Sequence, residues 1–198
     1  MDTYFSIAQP TQAIFKEKGS KFIAFAYPVE NEQEIKDQLD LVRKKYYDAT
    51  HHCYAYILGK DKKDFRANDD GEPSGTAGLP ILGQIKSKNI TNALVVVVRY
   101  FGGTKLGASG LVSAYKTAAA EVLAQATVIE KILVQSITFH FEYLQMNEVM
   151  KLIKDYELKI LSQHFDNQCQ ITLQIRDDLV EEVTEKMTQL IFALRASF

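Results

Sequence analysis

The stretch Val95-Val96-Val97-Val98-Arg99-Tyr100-Phe101-Gly102-Gly103-Thr104-Lys105-Leu106-Gly107-Ala108-Ser109-Gly110 decides the fold of this 198-residue chain. It starts inside the continuously apolar run Ala93 to Val98, which predicts a strand buried on both faces. Glycines end the strand, and the Ala-rich segment from about Gly110 to Ala126 predicts a helix. Backbone amides converge in such a turn, and the following helix dipole adds positive potential, so anions are favoured there. Arg99 and Lys105 would add formal charge. The spacing fits neither GxGxxG nor GxxxxGK[ST], because Lys105 precedes the last glycines. Three readings stay open: anion or nucleotide capture, contact with a partner, and a structural role in which glycine permits positive φ and close helix–strand packing.

Working outward, eight of the ten glycines lie between Gly71 and Gly110, and no proline follows Pro80. Upstream, Gln12 to Val29 predicts two strands turning at Lys18-Gly19-Ser20. Asn31 with Glu34 starts a helix whose Ile35, Leu39, Val42 and Tyr46 form an apolar stripe. His51 to Leu58 reads as a strand, Gly59 to Asp70 as a charged loop, and Leu79 to Lys86 as a short helix. Downstream of Glu130, Leu133, Gln135, Ile137, Phe139 and Phe141 share one strand face, and Val149, Leu152, Ile153 and Tyr156 follow helical spacing. Two strands then flank the turn Asp166-Asn167, and Asp177-Asp178 open a last helix. The order β-α-β-β-α, with Phe192 to Phe198 as a final strand, predicts a split βαβ unit. The fold class is therefore α+β in two domains, 1–130 and 131–198.

Composition narrows the function classes. Apolar residues make up 46% and charged residues 24%, as in a folded globular protein. The net charge of -2 lacks the global basic footprint of a duplex-DNA binder. Residues 1–130 hold 16 basic and 15 acidic side chains against 7 and 10 in 131–198, so any nucleic-acid contact is expected in the first domain. Cys53 and Cys169 form no zinc spacing and no disulfide framework. The start Met-Asp-Thr-Tyr-Phe-Ser shows no signal peptide, and the longest apolar run falls far below the roughly 20 residues of a membrane span. A cytoplasmic protein without a membrane partner is the expectation.

Two further segments carry possible chemistry. Asp69-Asp70-Gly71-Glu72-Pro73-Ser74-Gly75-Thr76-Ala77-Gly78 sets acids beside hydroxyls, which suits Mg²⁺ binding or acid–base work; equally, it suits a self-hydrogen-bonded turn. In His51-His52-Cys53 strand alternation puts His51 and Cys53 on one face and His52 on the other. Two adjacent histidines therefore cannot share a metal, and a free cysteine is usually a small buried hydrophobe. His140 and His164 have no close His or Cys, so no metal and no cofactor is expected. In the second domain Gln168, Gln170, Thr172 and Gln174, with Ser136, Thr138 and His140, form a polar sheet face without the aromatics on which RNA-recognition modules stack bases.

Ala49-Thr50-His51-His52-Cys53-Tyr54-Ala55-Tyr56, Asp69 to Gly78 with Pro80, and Val97 to Leu111 together resemble the IMPACT family, in its two-domain bacterial, YigZ-like branch. The resemblance implies an N-terminal domain folded like the second domain of a small-subunit ribosomal protein and domain IV of elongation factor G. It also implies a ferredoxin-like C-terminal domain. Eukaryotic relatives regulate translation during stress, by competing for the co-activator of an initiation-factor kinase through a region the bacterial proteins lack or only partly share. Ser109 stands where the family more often has glycine, and is placed to cap the following helix.

The function implied is a non-catalytic, translation-associated regulator that binds ribosomal RNA, the ribosome or a translation factor. Candidate binding residues are Arg99, Tyr100, Gly102, Gly103, Thr104, Lys105, Gly107 and Gly110, with Asp70, Glu72, Ser74, Thr76 and His51; none is assigned as catalytic. One alternative is a hydrolase or transferase holding a phosphate on the glycine loop, which requires Lys105, Asp70 and Glu72 to converge. Another is a protein-interaction module using the C-terminal sheet.

Overall fold

The computed structural model describes residues 2–166 and 168–193. Its elements run β1 (Thr3–Ile7), β2 (Thr11–Glu17), β3 (Ser20–Pro28), α1 (Glu32–Lys45), β4 (His51–Leu58), β5 (Asp64–Asn68), α2 (Gly78–Ser87), β6 (Ala93–Tyr100), α3 (Gly107–Gln125), β7 (Val128–Ile132), β8 (Val134–Phe141), α4 (Met146–Asp155), β9 (Lys159–Phe165), β10 (Cys169–Arg176) and α5 (Val180–Ala193). This is a mixed α/β protein. Contacts divide it into two units, 4–131 and the chain from Ile132 onward, the latter including Thr3 and its neighbour Asp2.

In the first unit five strands form a sheet in the order β2-β3-β6-β4-β5, every pair antiparallel. β6 lies at its centre, and all of Ala93 to Val98 is fully buried. Alternation explains the unbroken apolar run. Val95 and Val97 face α2 and α3, among Ile81, Ile85, Tyr115 and Ala118. Leu94, Val96 and Val98 face Ile35, Leu39 and Val42 of α1. A helix layer on each side makes every residue from Ala93 to Val98 a core residue.

Local chemistry accounts for the element ends. Lys18 and Gly19 adopt positive φ (46° and 81°) in the two-residue β2–β3 turn. The Asn31 side chain caps α1 by accepting the Glu34 N–H (2.9 Å), while the Glu34 carboxylate accepts the Glu30 N–H (2.8 Å).

Three expectations need correction here. The charged loop Gly59 to Asp70 contains β5, an edge strand paired with β4; its Asp64 and Arg66 are the kind of charged residues that edges tolerate and buried strands do not. Helix α3 begins at Gly107, not Gly110, because Ala108 and Ser109 continue the turn that Leu111 anchors in the core. Ser109 thus lies inside the first turn. The N-cap position is Leu106, with no side-chain cap bond.

The second unit has a three-stranded sheet in the order β8-β10-β9, antiparallel throughout. Phe139, Phe141, Cys169, Ile171, Leu173 and Ile175 cover its inner face and pack against Val149 and Ile153 of α4 and Val183 and Met187 of α5. On the opposite face Ser136, Thr138 and His140 align with Gln174, Thr172 and Gln170, and the Thr138 and Thr172 hydroxyls are 2.9 Å apart. Asp177 and Asp178 begin a single 3-10 turn that leads into α5. Phe192, placed in a final strand by its pattern, is helical in α5; the rest of that proposed strand, from residue 194 on, and Asn167 of the hairpin turn lie outside the described residues. Asp2 belongs to this unit: Arg176 donates to its carboxylate from Nε (2.7 Å) and Nη2 (3.1 Å), and its carbonyl accepts the Leu133 N–H (2.6 Å).

Candidate functional site

Three sequence segments meet at one end of the five-stranded sheet. Strand β6 delivers Arg99, strand β4 delivers His51 and Cys53, and the turn after β5 delivers Asp69, Asp70 and Glu72. Helix α3 adds Tyr115 from its buried stripe.

Glu72 is the centre of the cluster. Its Oε1 accepts Arg99 Nη1 at 2.5 Å and the Tyr115 hydroxyl at 2.8 Å, and His51 Nε2 lies 3.8 Å away. The Arg99 and Glu72 side chains are only 7% and 4% exposed. Arg99 also donates from Nη2 to Ser20 Oγ (3.4 Å), and its guanidinium lies 5.6 Å from the Phe22 ring and 5.8 Å from the Phe101 ring. Its Nε is buried and has no hydrogen-bond partner.

Cys53 Sγ has two acceptors for its one hydrogen, the Asp69 carbonyl (3.0 Å) and the Tyr115 hydroxyl (3.3 Å). Burial pushes this thiol far above its ordinary range, with the bond to Tyr115 only partly offsetting it. Burial likewise pushes the Tyr115 phenol up, and Cys53 and Glu72 push it further. Both shifts favour the neutral forms of the two groups.

The turn is held by Asp69. Its carboxylate accepts the backbone N–H groups of Gly75 (2.8 Å), Ala77 (3.0 Å) and Gly78 (2.8 Å), and so caps α2 from a distance. Burial works to raise its pKa, but these three bonds outweigh it and hold the carboxyl below its ordinary value.

The glycine loop is fixed by a backbone contact. Ser20 Oγ accepts the Gly102 N–H (3.2 Å), and a Cβ on Gly102 would fall 1.9 Å from the carbonyl carbon of Gly19. Only glycine lets the β2–β3 turn and the loop after β6 approach so closely. Beyond this contact a pocket of about 260 Å³ opens, lined by Glu72, Pro73, Arg99, Phe101, Lys105, Leu106, Gly107, Ala108 and Leu111.

The candidate residues therefore separate. Arg99, Glu72, Lys105 and Gly107 line one pocket, and His51 stands behind Glu72, its Nδ1 2.8 Å from the Asp70 carbonyl. Gly103 and Thr104 lie exposed on the loop beside it. Tyr100 does not join them: strand alternation turns it to the α1 side, where its hydroxyl donates to Asp48 (2.7 Å), a bond that pushes its pKa up to about 12. The Asp70 carboxylate accepts the His52 N–H (2.6 Å) and does not line this pocket, whereas Glu72 and Lys105 both do. Thr76 is buried and donates to the Pro73 carbonyl (2.6 Å), a bond within the turn. Ser74 is exposed, and Gly110 lies within α3 against Leu106. Tyr115 escaped the candidate set, although a single tyrosine in the stripe Leu111, Ala114, Ala118, Val122 signals a polar handle aimed into a core. Among the described residues no cluster of three His, Cys, Asp or Glu is set to hold a metal ion, and no helix is long and apolar enough to cross a membrane.

Residues 18–123 match the family described as the Impact N-terminal domain. That segment carries the Gly19 turn, Glu72, the glycine loop and Tyr115. IMPACT family member YvyE of Bacillus subtilis (strain 168) is 30% identical over 190 residues, 96% of this chain and 88% of that protein. IMPACT family member YigZ of Escherichia coli (strain K12) is 33% identical over 167 residues, 83% of this chain and 82% of that protein. A crystal structure of a hypothetical protein superposes with a TM-score of 0.75 at 30% identity, covering 96% of this chain and 93% of that one. Since the match takes in the residues that build the cluster, and the relatives extend it across both units, this chain belongs to the IMPACT family, in its two-domain bacterial type.

Proposed function

We propose that the protein is a non-catalytic, translation-associated regulator of the cytoplasm that contacts the ribosome through the face carrying the glycine-rich loop. Family membership supports the translational assignment. The observation that supports the location is the pocket at the start of α3, where Arg99, Lys105 and the positive end of the helix dipole face a single carboxylate, Glu72. The excess of positive charge fits a phosphate of ribosomal RNA better than an apolar protein surface.

The non-catalytic part of the reading rests on how the polar groups are used. Glu72 is bonded to Arg99 and Tyr115, Asp70 to the His52 backbone, and Cys53 and Tyr115 are held neutral by burial. Each is engaged within the fold. Residues 1–130 and 131–198 are read as two functional domains, the first similar to elongation factor G domain IV and the second ferredoxin-like. The central placement of β10 between β8 and β9, with α4 joining the outer pair, supports the second assignment.

Co-sedimentation of the purified protein with ribosomes and isolated subunits tests the proposal. Binding that weakens steadily as salt rises supports it, because phosphate contacts release counterions. Absence of binding to active ribosomes at low salt refutes it.

A further inference from the structure

The pocket at the start of α3 combines four features. The helix has 19 residues, and its first turn has neither an acidic side chain nor a side-chain cap. Such an end presents N–H groups that favour an anion. Arg99 lines the same pocket and is more than nine-tenths buried; its Nη1 and Nη2 are bonded to Glu72 and Ser20, and its Nε alone has no acceptor. Lys105 stands exposed on the rim. Phe101, also on the rim, is 51% exposed, with the Arg99 guanidinium 5.8 Å from its ring.

The balance of these groups specifies a ligand. Two cations and a helix N-terminus against one carboxylate favour a group carrying negative charge. Pro73, Leu106, Leu111 and the open Phe101 ring give the rest of the lining an apolar, flat character that a charged group alone would not fill. At about 260 Å³ the space lies just below the ~300 Å³ at which pockets for drug-sized ligands begin. That is room for one nucleotide, not for a folded RNA element.

We infer that this pocket binds a single phosphorylated nucleotide, its phosphate at the α3 N-terminus with Lys105 and Arg99 and its base against Phe101. The inference rests on the proposed RNA contact at this face and adds its chemistry. A free mononucleotide and the phosphorylated end of an RNA chain present the same groups. Aromatic stacking accepts any base, so recognition would follow the phosphate and the π-face more than the sequence.

The test is an NMR titration of the ¹⁵N-labelled full chain, following the Gly107 and Ala108 amides and the Arg99 Nε–H. The probes are inorganic phosphate, adenosine, adenosine 5′-monophosphate, a short oligoribonucleotide with and without a 5′-phosphate, and a peptide with a free C-terminal carboxylate. The expected result is that adenosine 5′-monophosphate moves all three signals at lower concentration than phosphate or adenosine does. Lys105→Ala, a change on an exposed side chain, weakens that binding roughly fivefold to tenfold, the range of a solvent-exposed charge-assisted contact. Phe101→Ala weakens the mononucleotide but leaves inorganic phosphate unchanged. Tight binding of the 5′-phosphorylated oligoribonucleotide assigns the site to a chain end, and binding of the mononucleotide alone assigns it to a free nucleotide; both support the inference. It is overturned if no probe moves the three signals, if phosphate binds as well as the mononucleotide, or if the peptide carboxylate is preferred. Ribosome binding that persists under such an outcome leaves the proposed function standing without this pocket.

Discussion

Arg99 Nη1 lies 2.5 Å from Glu72 Oε1, joining the end of the central strand to the turn after β5 through a pair almost wholly removed from water. Among the described residues Arg99 is paired with no other carboxylate, so Glu72→Ala leaves the guanidinium charged, buried and uncompensated. Breaking a buried pair in this way costs about 3–5 kcal/mol. Urea denaturation of the variant should show that loss. A change below about 1 kcal/mol, the range of exposed pairs, contradicts the account.

Tyr115→Phe is a gentler probe of the same cluster. It removes the hydroxyl that donates to Glu72 and lies near Cys53, and leaves the ring packed edge-on against Phe22, 5.2 Å between centroids. Arg99 still holds Glu72, so the expected loss is about 1–2 kcal/mol. A stabilised variant in the same denaturation experiment shows that the hydroxyl is not needed there.

Gly102→Ala tests the contact between the β2–β3 turn and the loop after β6. The added methyl would meet Gly19 and Ser20 backbone atoms at 1.9 to 2.3 Å, so one chain segment must move. We expect a loss of about 3 kcal/mol or more, at the upper end of overpacking, and changed amide shifts at Gly19 and Ser20. An unperturbed Gly19 signal in a stable variant contradicts the described approach.

Asp2 gives a pH prediction for the second unit. The hydrogen bond from Arg176 holds its carboxyl down at about 2, against an ordinary 3.8. A depressed carboxyl contributes stability that is complete above the unfolded value and is lost as pH falls through the folded one. The contribution should therefore fade between about pH 4 and pH 2. Asp2→Asn should be less stable than the parent at pH 5, and the two should converge near pH 2. A constant difference across that range contradicts the assignment.

Much of this architecture was legible in the sequence. Ala93 to Val98 is buried on both faces because alternate residues meet α1 on one side and α2 and α3 on the other, and an unbroken apolar run is the only pattern that satisfies both. Lys18-Gly19 and Asn31 were readable because their chemistry is local. What was not readable depends on distant partners. β5 carries charge at a sheet edge and has no periodic signature of its own. Asp69 caps α2 from outside the helix, where no capping pattern applies. Tyr100 and Arg99 are adjacent in sequence, and strand alternation puts them on opposite sheet faces. Glu72 could be singled out, but its bonds to Arg99 and Tyr115 span 27 and 43 positions, which only the fold brings together.

In the proposed function the glycine-loop face meets the phosphates of the translation apparatus. The most direct measurement compares the salt dependence of ribosome co-sedimentation for the parent chain and Lys105→Glu, with folding of the variant checked by its amide spectrum. The account predicts weaker binding by the variant at low salt and a salt slope shallower by about one phosphate contact. Identical binding and slope for parent and variant would contradict it.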